Sequence, residues 1–236
     1  MNLPNWLTVG RIFFTPLLVW LPLQNDPGYR LAAFVLYLAV SVTDYYDGML
    51  ARTRGQVTDL GKMLDPLADK LLLLGTFVPM FYLQAPASDP LLRWLTTFIP
   101  PREVMSHYPF VIHLGSVDWR LAFPWWVAFI VLGRELAMTV MRQMAARRGV
   151  VIAAIGPAKL KTIFQLIWIG SAYFWFFVAT ADVADTRDRM GWDFFAIAAG
   201  VIGAITMIAS VALTVYSMAV YLWRFGYVFT TKASKP

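Results

Sequence analysis

The chain has 236 residues, of which 59% are hydrophobic and only 14% charged, a balance that excludes an ordinary soluble fold and makes lipid the solvent for much of it. The net charge is +6. Its basic residues stand beside apolar runs rather than in one aromatic-laced basic tract, which excludes nucleic acid as a partner and points to anionic lipid, a phosphate substrate and membrane topology.

A membrane helix needs roughly 20 largely apolar residues. Six such runs follow in chain order, at about 7–24, 30–52, 62–83, 121–145, 161–181 and 193–223. The opening Met1-Asn2-Leu3-Pro4-Asn5-Trp6 has no basic residue ahead of its apolar run and no small-residue cleavage pattern behind it, so it predicts a retained first span rather than a cleaved signal. Many of the ten Trp, ten Tyr and seventeen Phe flank these runs, as interfacial anchors do. Between the third and fourth runs, Pro86, Pro90, Pro100, Pro101 and Pro109 break residues 84–120 into short pieces, predicting an extra external loop with an interfacial segment. His107 and His113 in that loop are six apart and match no common metal spacing.

Six spans put both ends of the chain on one side of the membrane. Fourteen of the twenty Lys and Arg then fall on that side, and six, including Arg30 and Arg120, on the other. The positive-inside rule makes the richer side cytoplasmic. The expected architecture is one all-α domain over 1–236 with six transmembrane helices, in the cytoplasmic (inner) membrane.

The second run ends Asp44-Tyr45-Tyr46-Asp47-Gly48-Met49-Leu50-Ala51-Arg52, and the third begins Gly61-Lys62-Met63-Leu64-Asp65-Pro66-Leu67-Ala68-Asp69. Residues three or four apart share a helix face, so Asp44 pairs with Asp47 and Asp65 with Asp69. The short connection makes the two helices antiparallel neighbours and brings all four acids to their cytoplasmic ends. Four facing carboxylates in a partly dehydrated cleft need a cationic partner. The chain has no cysteine, so a metal must take oxygen or imidazole ligands, and Mg²⁺ or Mn²⁺ is the natural ion. Two ions could clamp the attacking and leaving oxygens of a phosphoryl transfer. Gly48, Ala51 and Gly61 leave room for a bulky ligand or for tight helix packing, and Arg52 offers a fork to phosphate or snorkels to a lipid headgroup.

Asp44-x-x-Asp47-Gly48-x-x-Ala51-Arg52, eight residues, Gly61, three residues, Asp65, three residues, Asp69 resembles the full signature of the CDP-alcohol phosphotransferases. The resemblance implies that Asp44, Asp47 and Asp65 hold metal and that Asp69 both helps bind a second ion and acts as general base. It also implies that Asp47, Gly48, Ala51, Arg52 and Gly61 line a CDP site. The fold it implies is six helices around a polar cavity open to the cytoplasm, commonly as a homodimer.

Two further stretches resemble the branch of that family whose donor is CDP-diacylglycerol and whose acceptor is glycerol 3-phosphate. They are the opening Pro4-Asn5-Trp6-Leu7-Thr8-Val9-Gly10-Arg11, which makes Asn5 and Thr8 candidate substrate-site residues, and Gly133-Arg134-Glu135 with Met141-Arg142 and Lys159-Leu160-Lys161-Thr162. Ala158 stands where that branch usually has glycine, and Met141 where it has leucine. Arg134 and Arg142, eight apart on one helix, would join Lys159 and Lys161 in an anion pocket for the acceptor phosphate. Glu135 is a candidate partner for Arg134, while Arg147 and Arg148 are read as topology charges. The expected products are phosphatidylglycerophosphate and CMP. Cardiolipin, phosphatidylserine and phosphatidylinositol-phosphate synthases are the alternatives within the family, and a divalent-cation transporter is the alternative outside it. The last span and residues 84–120 contribute no recognisable motif.

Overall fold

The computed structural model describes residues 3–24, 26–53, 59–83, 110–114, 117–121, 123–150, 152, 156–181 and 190–226. Among these residues the chain forms six α-helices: α1 (Leu3–Trp20), α2 (Pro27–Thr53), α3 (Asp59–Leu83), α4 (Trp125–Arg147), α5 (Gly156–Thr180) and α6 (Met190–Phe225). All six lie where the apolar runs predict them, with ends shifted by a few residues. Local chemistry sets several of these ends. At the start of α2, Asp26 Oδ1 accepts hydrogen bonds from the backbone N–H of Gly28 (2.8 Å) and Tyr29 (3.1 Å), with Pro27 as the first helical residue. Gly149, at φ 73°, follows the end of α4 in a conformation open to glycine.

Four segments are long and apolar enough to cross a membrane: Asn5–Leu23, Leu64–Leu83, Leu160–Val178 and Ala198–Phe225. They belong to α1 with its following turn, α3, α5 and α6. Helices α2 and α4, of 27 and 23 residues, match them in length but carry the charges Arg30, Asp44, Asp47 and Arg52, and Arg134, Glu135 and Arg142.

The prolines of 84–120 predict an external loop with an interfacial segment, yet its end forms strands. Phe110–Leu114 (β1) and Val117–Leu121 (β2) form an antiparallel ribbon pairing Phe110 with Leu121 and His113 with Asp118. The β-branched and aromatic content of both halves, around Gly115-Ser116, is a hairpin signal. β1 packs against α6. His107 and the interfacial segment near Leu91–Leu95 lie outside the described residues.

The core is aromatic. Phe77 of α3, Phe123 and Trp168 of α5 are fully buried against one another, with ring centroids 5.0–5.6 Å apart. Tyr37 of α2 stacks on Tyr173 of α5 at 5.4 Å. Their hydroxyls donate across helices, Tyr37 to the Leu166 carbonyl (2.9 Å) and Tyr173 to that of Leu18 (3.0 Å), so neither polar tip is left unsatisfied. At the end of the bundle where α2 begins, the buried Arg30 donates to the carbonyls of Pro22 (3.0 Å) and Gln24 (3.1 Å) and to Thr180 Oγ1. It ties the α1–α2 turn to the end of α5.

Close approach of α1 and α3 depends on Gly75. A Cβ there would stand 2.7 Å from the Thr15 methyl, well inside contact distance. The outer surface is apolar: Phe13, Phe129, Ile205 and Ile208 are exposed along the helices, and Trp6, Trp20, Trp125, Trp126 and Trp223 are exposed near helix ends. That distribution suits lipid with aromatic belts at its two interfaces.

Candidate functional site

Helix α1 presents Asn5, Thr8, Arg11 and Thr15, all buried, at spacings of three, three and four, which places them on one face. This face meets the acids. Thr8 Oγ1 donates to Asp65 Oδ1 (2.9 Å), and Arg11 Nη1 donates to Asp69 Oδ1 (3.0 Å). The same Arg11 nitrogen pairs with Asp44 of α2. Thr15 Oγ1 in turn donates to the Arg11 carbonyl (2.9 Å). One arginine therefore joins the end of α2 to the start of α3, and Asp44, Asp65 and Asp69 stand within electrostatic reach of one another. Pro66, directly after Asp65, removes the amide that would have bonded the Lys62 carbonyl four residues back.

Of the other residues expected here, Gly61 is buried in the first turn of α3. Helix α2 runs through positions 47, 48, 51 and 52 to Thr53, but the side chains of Asp47, Ala51 and Arg52, and the surroundings of Gly48, lie outside the described residues. Among the described residues no three acids or imidazoles are gathered as a ligand set; the Arg11 guanidinium stands between Asp44 and Asp69. The donor chemistry fits a hard divalent ion. The side chains that converge offer carboxylate and hydroxyl oxygens, and a positive charge already occupies the point where two of the acids meet.

A second charged cluster joins α4, α5 and α6. Glu135 Oε1 accepts from Arg134 Nη1 (3.0 Å) and from Lys161 Nζ. Arg134 Nη2 also donates to Ser217 Oγ (3.3 Å), and its guanidinium lies 5.9 Å from the Tyr221 ring centroid, within cation–π range. Ser210 Oγ donates to the Lys161 carbonyl (3.3 Å). Arg134 and Lys161 are buried, whereas Arg142 is exposed on α4 but still within electrostatic reach of Lys161. The Lys159 side chain lies outside the described residues. Helix α4, which carries Glu135, packs against α3, which carries Asp69, and the two carboxylates are within electrostatic reach of one another.

Two helices contribute more than their motifs predict. On α1, Arg11 joins the candidates Asn5 and Thr8, and a lone arginine in register with them is the signal in the sequence. On α6, which carries no recognisable motif, Thr206, Ser210, Thr214, Ser217 and Tyr221 are all buried at spacings of four, four, three and four. That period is one helix face.

The profile of the CDP-alcohol phosphatidyltransferase family matches residues 1–232. A protein of Mycobacterium tuberculosis named probable phosphatidylglycerophosphate synthase is 31% identical over 173 residues, covering 72% of this chain and 64% of that protein. The chain thus spans less than two thirds of that relative's length. The CDP-diacylglycerol–glycerol-3-phosphate 3-phosphatidyltransferase of Bacillus subtilis is 29% identical over 182 residues, covering 72% of this chain and 75% of that one. An Arabidopsis thaliana protein, named as the chloroplastic and mitochondrial form of the same transferase, is 27% identical over 226 residues, covering 94% of this chain and 62% of its own. With a match over nearly its whole length and four helices fit to cross a bilayer, the chain is an integral membrane protein belonging to the CDP-alcohol phosphatidyltransferase family.

Proposed function

We propose that this chain transfers a phosphatidyl group from CDP-diacylglycerol to glycerol 3-phosphate, giving phosphatidylglycerophosphate and CMP. The observation that carries the reading is the packing of α3 against α4, which brings the acids Asp44, Asp65 and Asp69 to the same part of the bundle as Glu135 and the buried cations Arg134 and Lys161 that it joins. The names of the relatives support the same reaction.

In this reading Asp44, Asp47, Asp65 and Asp69 hold Mg²⁺ or Mn²⁺, as two ions. Bound there, the metal would supply charge neutralisation and polarisation of the pyrophosphate. Asp47, Gly48, Ala51, Arg52 and Gly61 receive the CDP moiety, and Asn5 and Thr8 line the substrate site from α1, where Thr8 also donates to Asp65. Arg134, Arg142, Lys159 and Lys161 hold the acceptor phosphate; serine or an uncharged lipid alcohol would need no such set. Asp69 takes the proton from the acceptor hydroxyl as its oxygen bonds to the phosphorus bearing the lipid. The anhydride bond breaks and CMP leaves with the electron pair. The whole chain acts as one domain of six spans around a polar cavity, with 84–120 outside, both termini in the cytoplasm of the inner membrane, and two copies forming a homodimer.

Purified protein supplied with CDP-diacylglycerol, Mg²⁺ or Mn²⁺ and radiolabelled glycerol 3-phosphate is expected to release CMP and form a labelled lipid. CMP release that occurs only with serine, inositol phosphate or phosphatidylglycerol would assign another acceptor. Absence of product with the whole panel would reject the reaction.

A further inference from the structure

Glu135 is the one charged member of the second cluster that the proposed reaction leaves without a task. A single oxygen, Oε1, receives an ammonium from α5 and a guanidinium from α4. Two cations from different helices closing on one anionic oxygen is how a phosphate oxygen is held. The cations are the deeper partners: their side chains are 4% and 7% exposed, that of Glu135 27%. The carboxylate thus lies on the accessible side, where an entering anion would arrive. Neither cation is saturated. Among the described residues Arg134 Nε is buried and makes no hydrogen bond, and Lys161 Nζ spends one of three N–H donors on Glu135. Two buried positive charges with no counter-charge would be costly, so the cluster needs an anion at all times.

We propose that Glu135 is an internal stand-in for the acceptor's phosphate. It neutralises Lys161 and Arg134 while no acceptor is bound and yields them when a phosphate enters. The proposal rests on the assignment of Arg134 and Lys161 to the acceptor site. It adds a ground for selectivity, because an alcohol without an anionic group brings nothing to replace the carboxylate and leaves the cations engaged.

The test compares full-length protein in detergent with its Glu135→Gln variant, both with Mg²⁺ and CMP present, by thermal shift against glycerol 3-phosphate, inorganic phosphate and glycerol. Without ligand the variant is expected to melt lower. Its affinity for both phosphates is expected to rise about tenfold, the factor carried by one competing charge-assisted hydrogen bond, and glycerol should shift neither protein. Equal or weaker phosphate binding by the variant would overturn the stand-in role while leaving the acceptor assignment intact. A wild type that responds to neither anion would overturn the assignment itself, and the stand-in with it.

A second measurement needs no variant at position 135. The chain contains two glutamates, Glu103 and Glu135, so carboxyl-¹³C-glutamate labelling yields two signals, and Glu103→Gln identifies the other. The Glu135 resonance is expected to move with glycerol 3-phosphate and to stay put with glycerol. A resonance unmoved at saturating glycerol 3-phosphate would refute the exchange.

Discussion

Single side chains decide the chemistry. In the proposed reaction Asp69 is the base; it accepts a hydrogen bond from Arg11 and is within electrostatic reach of Glu135. Asp69→Asn keeps the shape and, through Asp44, leaves Arg11 a partner. Turnover is expected to fall by about 10²–10⁴-fold, the usual worth of a general base, with the melting temperature little changed. Near-normal turnover would remove Asp69 from that role. The signature spacing makes these aspartates legible in the sequence. Arg11 was equally visible but ambiguous, because a cation near the start of a span serves topology as readily as it serves a site. Only its contact with two acids separates the uses.

At the scale of elements, the six helices were readable because apolar length is a property of the chain alone. Helices α2 and α4 stand apart from the other four because charges interrupt their apolar runs. What holds the acids in place is helix contact, and at Gly75 α3 comes too close to Thr15 of α1 to leave room for a methyl. Gly75→Ala would drive a methyl into Thr15, whose hydroxyl is bonded to the Arg11 carbonyl. The expected cost is about 1–3 kcal/mol, read as a lower melting temperature together with reduced turnover, since Asp65 and Asp69 ride on the displaced helix. Adding Thr15→Ser deletes the clashing methyl and keeps the hydroxyl, so the double variant should recover most of both losses. No recovery would place the tight contact elsewhere. The β1–β2 ribbon is not legible in the composition of 84–120, which five prolines dominate, because the hairpin signal is local to 110–121.

For the molecule as a whole, the distribution of Lys and Arg predicts that the chain's ends and the site share the cytoplasmic side. The absence of cysteine makes this easy to check. Lys235→Cys is expected to react with a membrane-impermeant maleimide only after cells are opened, and Ser88→Cys in intact spheroplasts. The reverse pattern would invert the topology. Residues of α1, α2 and α3 supply the acidic cluster and residues of α4, α5 and α6 the cationic one, so the proposed reaction needs both halves of the chain.

The sequence alone determined the membrane setting, the six helices and the four aspartates, because each depends on apolar length or on spacing within one or two neighbouring helices. Tertiary structure alone decided that Arg11 bridges Asp44 and Asp69, that Glu135 joins Arg134 to Lys161, and that α6 contributes Ser217 and Tyr221. Most of these partners lie dozens of residues apart on different helices. Even Arg134 and Glu135, adjacent in the chain, owe their shared role to a lysine of α5. A helix fixes which of its residues share a face; which neighbour that face meets depends on how the helices pack.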